Sequence, residues 1–284
     1  MVNIAETLAE TSVSHLDLSR YVSVPSDSSV AETVATMSTA GRSCALVTNG
    51  RDLTGIFTQR DVLMRVIGRP QTWDRPIAEE MTSAVRTMGD DLSVADGLSI
   101  MNDWWVRSVP VVRDEGNLVG CLSFYTIMST IADLLASNVD DHPEPDVQDG
   151  LSFIDFTGLN IHPPVTVGME ETVDVAAHHM KARAIGSVLV ADERDKLAGV
   201  LTEFDLQTKI GCDRSDLASL AVRDVMTPDP VRLTARSSIA SAIREMTEAG
   251  FSHIPLVGES GRPVGVASFR DISAYLETSL GALA

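Results

Sequence analysis

At 284 residues, 44 % apolar but only 5 % aromatic, the chain is sized for about two domains with aliphatic, methionine-containing cores. Its 40 acidic against 22 basic side chains leave a net charge of −18, which repels a nucleic-acid backbone and argues against a DNA-binding role. No apolar run reaches the ~20 residues of a membrane helix, Glu6 and Glu10 replace a basic leader, and Cys44, Cys121 and Cys212 form no C-x-x-C pair, so a soluble cytoplasmic chain with neither disulfide framework nor structural zinc is expected.

In chain order, the stretch around Ile4 and Leu8 is a candidate short helix. Val22–Val24 is a short apolar run, followed by Val30, Val34 and Met37 at the i, i+4, i+7 spacing of one helical face. Ala45-Leu46-Val47, the turn Thr48-Asn49-Gly50-Arg51-Asp52 and a second apolar run predict a β-hairpin. The hairpin closes in Gly55-Ile56-Phe57-Thr58-Gln59-Arg60-Asp61, and Val62, Val66 and Ile67 resume helical spacing.

The same order then returns three times. Glu80-Met81-Thr82 and Val85 precede Val94, Leu98 and Met101, then Val109 to Val112, then Gly120-Cys121-Leu122-Ser123-Phe124-Tyr125-Thr126. Val165–Val167 precede Val173, Ala177 and Met180, then Val188 to Val190, then Gly199-Val200-Leu201-Thr202-Glu203-Phe204-Asp205. Val225-Met226-Thr227-Pro228 and Val231–Leu233 precede Ile239, Ile243 and Met246, then Ile254 to Val257, then Gly265-Val266-Ala267-Ser268-Phe269-Arg270-Asp271. From methionine to glycine is 18 residues in the first copy and 19 in the others. Four such registers mean duplication of one β-α-β-β-α unit, and the expected class is α/β of the α+β type.

The repeated phrase Gly-h-h-Thr/Ser-x-x-Asp after a hairpin, with the lead-ins Glu80-Met81-Thr82 and Val225-Met226-Thr227-Pro228, resembles the cystathionine-β-synthase (CBS) domain. The resemblance runs from about Ser19 to Leu276, and the layout is similar to the γ subunit of AMP-activated protein kinase. It implies non-catalytic units that pair into modules and bind adenosine-containing ligands in the clefts between them. Glycine-to-glycine steps of 65, 79 and 66 residues put extra length between copies two and three, where Asn138-Val139-Asp140-Asp141-His142-Pro143-Glu144-Pro145-Asp146 reads as an exposed linker. The expected division is an N-terminal segment 1–17, a first pair 18–137 (copies 18–72 and 78–135), an acidic linker 138–152, and a second pair 153–284 (copies 157–212 and 222–279).

Two readings compete for the hydroxyl–acid phrase. As a capping box, the Thr or Ser takes a backbone N–H of the first helical turn and the acid three residues on favours the positive helix end. As a ligand site, the carboxylate accepts hydrogen bonds from ribose hydroxyls while the hydroxyl and helix N-terminus face a phosphate. The resemblance implies the second role for Thr58 and Asp61, Ser123, Thr202 and Asp205, and Ser268 and Asp271, while copy two has Thr126 for the acid and an impaired site. Arg60 and Arg270 precede their aspartates, and Arg42, Arg107 and His253 stand before the second strand at positions resembling those that reach phosphates; Arg183 lies earlier in copy three. Val22, Val85, Val165 and Val231 are the lead-strand residues expected to line the clefts.

Copies one and four thus suit a phosphate, and copy three, with Glu203 and Phe204, an uncharged adenosine. The expected ligands are AMP, ADP or ATP, with S-adenosylmethionine as an alternative, and no catalytic cofactor or metal. Expected partners are an unidentified effector protein and a second copy of the chain, with no nucleic acid and no membrane. A nucleotide-independent scaffold and a divalent-cation sensor are the rival readings. His178 and His179 point about 100° apart on a helix and make no i, i+4 metal pair. Trp104 and Trp105 read as packing at a module interface rather than as a stacking platform.

Overall fold

The computed structural model describes residues 4–50, 52–113, 116–141, 151, 154–159, 161, 163–210 and 216–281. Most of the expected linker, with His142, and Cys212 lie outside the described residues.

Ile4–Glu10 forms α1, and its buried Ile4 and Leu8 pack on the helix of the second copy. Copy one then runs β1 (Val22–Pro25), α2 (Val30–Thr39), β2 (Cys44–Asn49), β3 (Asp52–Thr58) and the single turn α3 (Gln59–Asp61), which continues as a π-helical turn Val62–Val66. Copy two has β4 (Met88–Gly89), α4 (Val94–Trp104), β5 (Ser108–Arg113), β6 (Asn117–Ser123) and α5 (Phe124–Asp141). In copy three these are β7 (Thr166–Gly168), α6 (Val173–Ala182), β8 (Ser187–Ala191), β9 (Leu197–Thr202) and α7 (Glu203–Asp205) with a π turn Leu206–Ile210. After β10 (Thr227–Pro228), copy four has α8 (Ile239–Ala249), β11 (His253–Val257), β12 (Pro263–Ser268) and α9 (Phe269–Gly281).

Local chemistry accounts for these limits. Ser29 with Glu32 and Ser93 with Asp96 are capping boxes that start α2 and α4. Each first helix ends in a left-handed residue four places after its methionine: Gly41, Trp105, Ala184 and Gly250, with φ of 62°, 58°, 52° and 76°. The second helix of copy one stops at Gly68 (φ 78°) just before Pro70, whereas nothing interrupts α5 or α9. Copies one and three therefore carry short second helices, shorter than their sequence spacing suggests.

The lead strand pairs parallel with the first hairpin strand in three copies: β1 with β2, β4 with β5, β7 with β8. Two lead strands differ from expectation. Val85 lies outside β4, which begins at Met88, and in copy four only Leu233 bridges Leu256, leaving Val231 40 % exposed. The hairpins share one irregularity: each slips register one residue past the pair made by the repeated glycine (Val47 with Gly55, Val111 with Gly120, Val190 with Gly199, Leu256 with Gly265).

The glycine is explained by what lies over it. A Cβ on Gly55 would stand 2.0 Å from Met81 Sδ, on Gly120 2.5 Å from Leu18 Cβ, and on Gly199 2.4 Å from Met226 Sδ. Those neighbours belong to the lead-in of the other copy in each pair. The lead-ins bond to the hairpin backbone: Ile56 exchanges N–H···O bonds with Thr82, Cys121 N–H donates to Leu18 O at 2.8 Å, and β10 pairs antiparallel with β9.

The helices then pack across the pairs. One core holds Val34, Met37 and Val62 of copy one with Ala177, Met180 and Leu206 of copy three. A second holds Leu98, Met101 and Phe124 of copy two with Ile243, Met246 and Phe269 of copy four, with α1 laid on it. A third, small cluster joins the hairpins of copies one and two, where Cys44 and Cys121 are fully buried with sulfurs 3.9 Å apart. The two pairs thus close on each other within one chain.

The approach at Gly120 is against backbone as well as side chain, since its Cβ would also lie 2.7 Å from Leu18 O. Gly120→Ala is expected to lower the unfolding free energy by about 2 kcal/mol. Gly158→Ala, where a Cβ meets nothing within 4 Å, is expected to stay within about 0.5 kcal/mol in the same chemical denaturation.

Candidate functional site

The strand-to-helix corner of each copy places the hydroxyl–acid phrase. In copy one Asp61 Oδ2 accepts from Thr58 N–H (2.8 Å) and its hydroxyl (2.7 Å). Asp205 takes the same pair from Thr202 (2.9 and 2.5 Å), and Asp271 from Ser268 (2.8 and 2.6 Å). The capping role is therefore met in all three copies by one carboxylate oxygen.

The other oxygen distinguishes them. Asp61 Oδ1 faces Arg65 at 3.3 Å, and burial, the largest influence, pushes this carboxyl upward against its Thr58 and Arg65 contacts. Asp205 Oδ1 takes both Lys209 Nζ (2.6 Å) and the Thr227 hydroxyl (2.9 Å), and the residue is 3 % exposed. Asp271 is half-buried, and its Oδ1 has no hydrogen bond or ion pair among the described residues.

In copy two Ser123 Oγ lies 2.9 Å from Thr126 Oγ1, which reaches the Asp17 carbonyl at 3.2 Å. An aspartate at 126 would set its carboxylate against that carbonyl. The missing acid thus follows from the N-terminal segment lying over this corner.

Register decides which remaining residues correspond. Cys44, Ser108, Ser187 and His253 open β2, β5, β8 and β11 opposite the four hydroxyl residues. Glu203 directly follows its hydroxyl residue, where the other copies have Gln59, Phe124 and Phe269. Arg60 and Arg270 are equivalent to Tyr125 and Phe204.

Four of the nominated basic residues converge, and they do so on Glu203. Arg60 Nε lies 2.8 Å from Glu203 Oε1 and Arg107 Nη2 lies 2.5 Å from Oε2. Glu203 is 2 % exposed. A Cβ on Gly186 would stand 2.7 Å from His253 Nε2 and 3.4 Å from Glu203 Oε2, so the missing side chain lets the imidazole of copy four lie against copy three. Arg270 completes the group. Its guanidinium stacks 4.6 Å from the Trp105 ring centroid and donates to Trp105 O at 3.2 Å. All four copies thus supply side chains to one centre: Arg60, Arg107, Glu203, and His253 with Arg270.

The electrostatics follow from burial and crowding. Burial first, then Arg107, Arg60 and Arg270, push His253 down to about 3, so it is neutral at physiological pH. Burial also lowers Arg60 and Arg270, and each feels Arg107 as well, with Glu203 and the neighbouring aspartates opposing.

The other nominated residues lie elsewhere. Arg42 is near Arg20 and Asp17 at the boundary of copies one and two, and its carbonyl accepts from Gln207 Nε2 of copy three. Arg20 itself stacks 3.7 Å over Tyr125. Arg183 bonds His179 on the surface of α6. Val22 lies in β1, and the Val165 carbonyl accepts from Leu189 at 2.9 Å. Of the two tryptophans, Trp104 is half-buried against the core of copies two and four, but Trp105 is 76 % exposed, unlike the packing expected for both. Glu203, expected beside a copy-three ligand, faces the shared centre instead. The signal was there in part: an acid occupies a position where two sister copies bury phenylalanine.

Among the described residues no group of three or more His, Cys, Asp or Glu side chains is arranged to hold a metal, and no helix is long and apolar enough to cross a membrane. Two hollows of about 570 Å³ lie away from the centre, one beside Leu16–Ser19 and one between Ile67–Gly68 and the His178–Lys181 face of α6.

The CBS domain pattern matches this chain four times, at residues 13–68, 77–133, 158–211 and 222–278. A CBS domain-containing protein of Arabidopsis thaliana, CBSCBSPB5, is 24 % identical over 310 residues, covering 98 % of this chain and 56 % of its own. The Meiotically up-regulated gene 70 protein of Schizosaccharomyces pombe is 23 % identical over 307 residues, covering 90 % of this chain and 42 % of its own. The chain thus spans about half the length of the curated relatives it matches. Among solved structures, protein MJ1225 from Methanocaldococcus jannaschii, a proposed archaeal homolog of g-AMPK, superposes with a TM-score of 0.74 at 17 % identity, over 92 % of this chain and 98 % of that one.

The His253 shift carries a sign. Below its ordinary 6.5 and above about 3, the unfolded chain binds a proton that the folded protein refuses, so stability falls as pH falls. Between about pH 7 and about pH 5 the wild-type melting temperature should drop further than that of His253→Gln. Parallel pH profiles for the two proteins would contradict this.

Proposed function

The chain belongs to the CBS domain family, and from that premise we propose that it is a regulatory protein, not an enzyme, that binds an adenine nucleotide (AMP, ADP or ATP) with its phosphate at the four-copy centre. The observation that carries this reading is Asp271. Among the described residues its outer carboxylate oxygen has no hydrogen bond or ion pair, and it follows directly after Arg270 at the N-terminus of α9. A ribose diol held by that oxygen leaves its 5′-phosphate within the field of Arg270, Arg107 and Arg60. Copies one and three have their second oxygens engaged by Arg65 and by Lys209 with Thr227, and copy two has no acid. Copy four is therefore the leading cleft, and Thr58, Asp61, Thr202 and Asp205 serve their helix starts first.

The centre draws on every copy, so an anion that engages its arginines alters contacts between copies. That is a means of passing occupancy to an effector protein or a second chain. It requires only that the ligand bind one arrangement better than the other.

A nucleotide-independent interaction scaffold is the second reading, and the satisfied capping boxes of copies one and three favour it. S-adenosylmethionine is the ligand alternative. Calorimetric titration with AMP, ADP, ATP and S-adenosylmethionine separates these outcomes. We expect saturable binding of at least one nucleotide, weakened about tenfold or more by Asp271→Ala, and a Thr126→Ala protein that binds like wild type. Absence of heat or thermal shift with all four ligands would leave the scaffold reading standing.

A further inference from the structure

We propose that Glu203 is a specificity-determining residue of this centre, selecting a nucleoside monophosphate over the triphosphate. This rests on the reading that the centre takes a nucleotide phosphate. Three guanidiniums, Arg60, Arg107 and Arg270, surround one carboxylate, and His253 beside them adds no charge at neutral pH. Glu203 Oε2 accepts a hydrogen bond from Arg107, while its buried Oε1 has only the ion pair with Arg60 Nε at 2.8 Å and no hydrogen bond among the described residues. It therefore competes for the same donors that a second and third phosphoryl group would need. Arg270 makes no ion pair with Glu203 among the described residues; it spends one N–H on Trp105 O and stacks on that ring, and its remaining donors are the ones a single phosphate could take.

Burial makes this competition strong. At 2 % exposure the Glu203 charge is little screened by water or salt, and it acts on any anion entering the same low-dielectric space. A phosphate monoester brings a charge of about −1.5 to −2. A triphosphate brings more, and each added charge meets a carboxylate already seated among the arginines. Asp61 and Asp271, held by their own capping groups behind Arg60 and Arg270, add to the same field.

The repeat itself argues that this acid is not needed for packing. The equivalent residues are Gln59, Phe124 and Phe269, so the corner folds around neutral side chains in three copies out of four. Glu203→Gln installs in copy three what copy one already carries.

The test is the ratio of AMP to ATP affinity, measured by calorimetry on the full chain. Wild type should prefer AMP, and Glu203→Gln should move the ratio toward ATP by about tenfold or more. Arg60→Gln, which lowers the central charge, should move the ratio the other way, and it keeps the inference testable where Glu203→Gln fails to fold. A ratio unchanged in both variants, with nucleotide still bound, overturns the role of Glu203 and leaves the nucleotide reading intact. Thermal shifts with inorganic phosphate and tripolyphosphate separate the remaining cases. If no nucleotide binds but tripolyphosphate stabilises Glu203→Gln more than wild type, charge selection stands and the nucleotide reading falls. If neither anion stabilises either protein, both fall.

Discussion

Three of the four hairpins depend on how closely a neighbouring copy's lead-in can lie against them. The repeated glycine, set beside a bulge, removes the one side chain that would hold the two backbones apart. An open strand edge is otherwise a liability that must be covered. Here the cover is exchanged: copy two's Thr82 lies on β3, and copy one's Leu18 lies on the hairpin of copy two. Neither copy of the first pair is complete alone. Once the pair is joined through its hairpins, the apolar helix faces still need burial, and they find it across the pairs. Copy one therefore packs with three and copy two with four.

That cross-packing separates the copies into two kinds. Copies two and four place Phe124 and Phe269 after the hydroxyl residue, inside a continuous apolar core, and follow with long helices. Copies one and three place Gln59 and Glu203 there and follow with short π-terminated turns. Between these two copies some contacts are polar: the Ser38 hydroxyl donates to Gln207 O, Gln207 Nε2 to Arg42 O, and Lys181 Nζ to Ile67 O at 2.7 Å. Between copies two and four Tyr125 reaches Thr247 O, and Ser99 and Asn102 hold Glu277 around a larger apolar contact. The charged centre is thus bounded by a mostly apolar pairing on one side and a shorter, more polar one on the other.

The order of elements was legible because each is written locally. Methionine-terminated helical triplets, turn residues and the glycine phrase need only spacing to be read. What lay beyond reach depended on contacts between copies. Nothing adjacent to Glu203 tells that Arg60, 143 positions earlier, and Arg107, 96 earlier, turn toward it. Thr126 looked like a lost acid; its reason is a carbonyl of Asp17, 109 residues away. Val85 and Val231 matched a strand pattern too short to fix register, and the lead strands form three residues on at Met88 or shrink to a single bridge at Leu233. Arg42, Arg107 and His253 looked alike beside their strands, but hairpin register gives them different places, and only the last two face the centre.

The centre is suited to transmitting a change because its own energy is nearly balanced. Desolvating the buried Glu203 carboxylate costs several kcal/mol, and its attraction to the partly exposed Arg60 and Arg107 returns much of it, so the intact cluster adds little net stability. Leaving the buried Glu203 carboxylate without either arginine is expensive, by about 3–5 kcal/mol, whereas Arg60 and Arg107 keep 33 % and 28 % of their side chains exposed and lose less. In the proposed reading, an entering anion could replace Glu203 on the partly exposed arginines, but a Glu203 left unpaired would bear the cost of its burial. An anion that took both arginines would oblige Glu203 to find water or another donor. Glu203 opens α7, whose capping box ties Thr202 to Asp205, and Asp205 holds Lys209 and Thr227. Thr227 belongs to the lead-in of copy four. Under the proposed nucleotide reading, a displacement at Glu203 would meet these short, directional bonds, which link copy three to the strand that joins copies three and four.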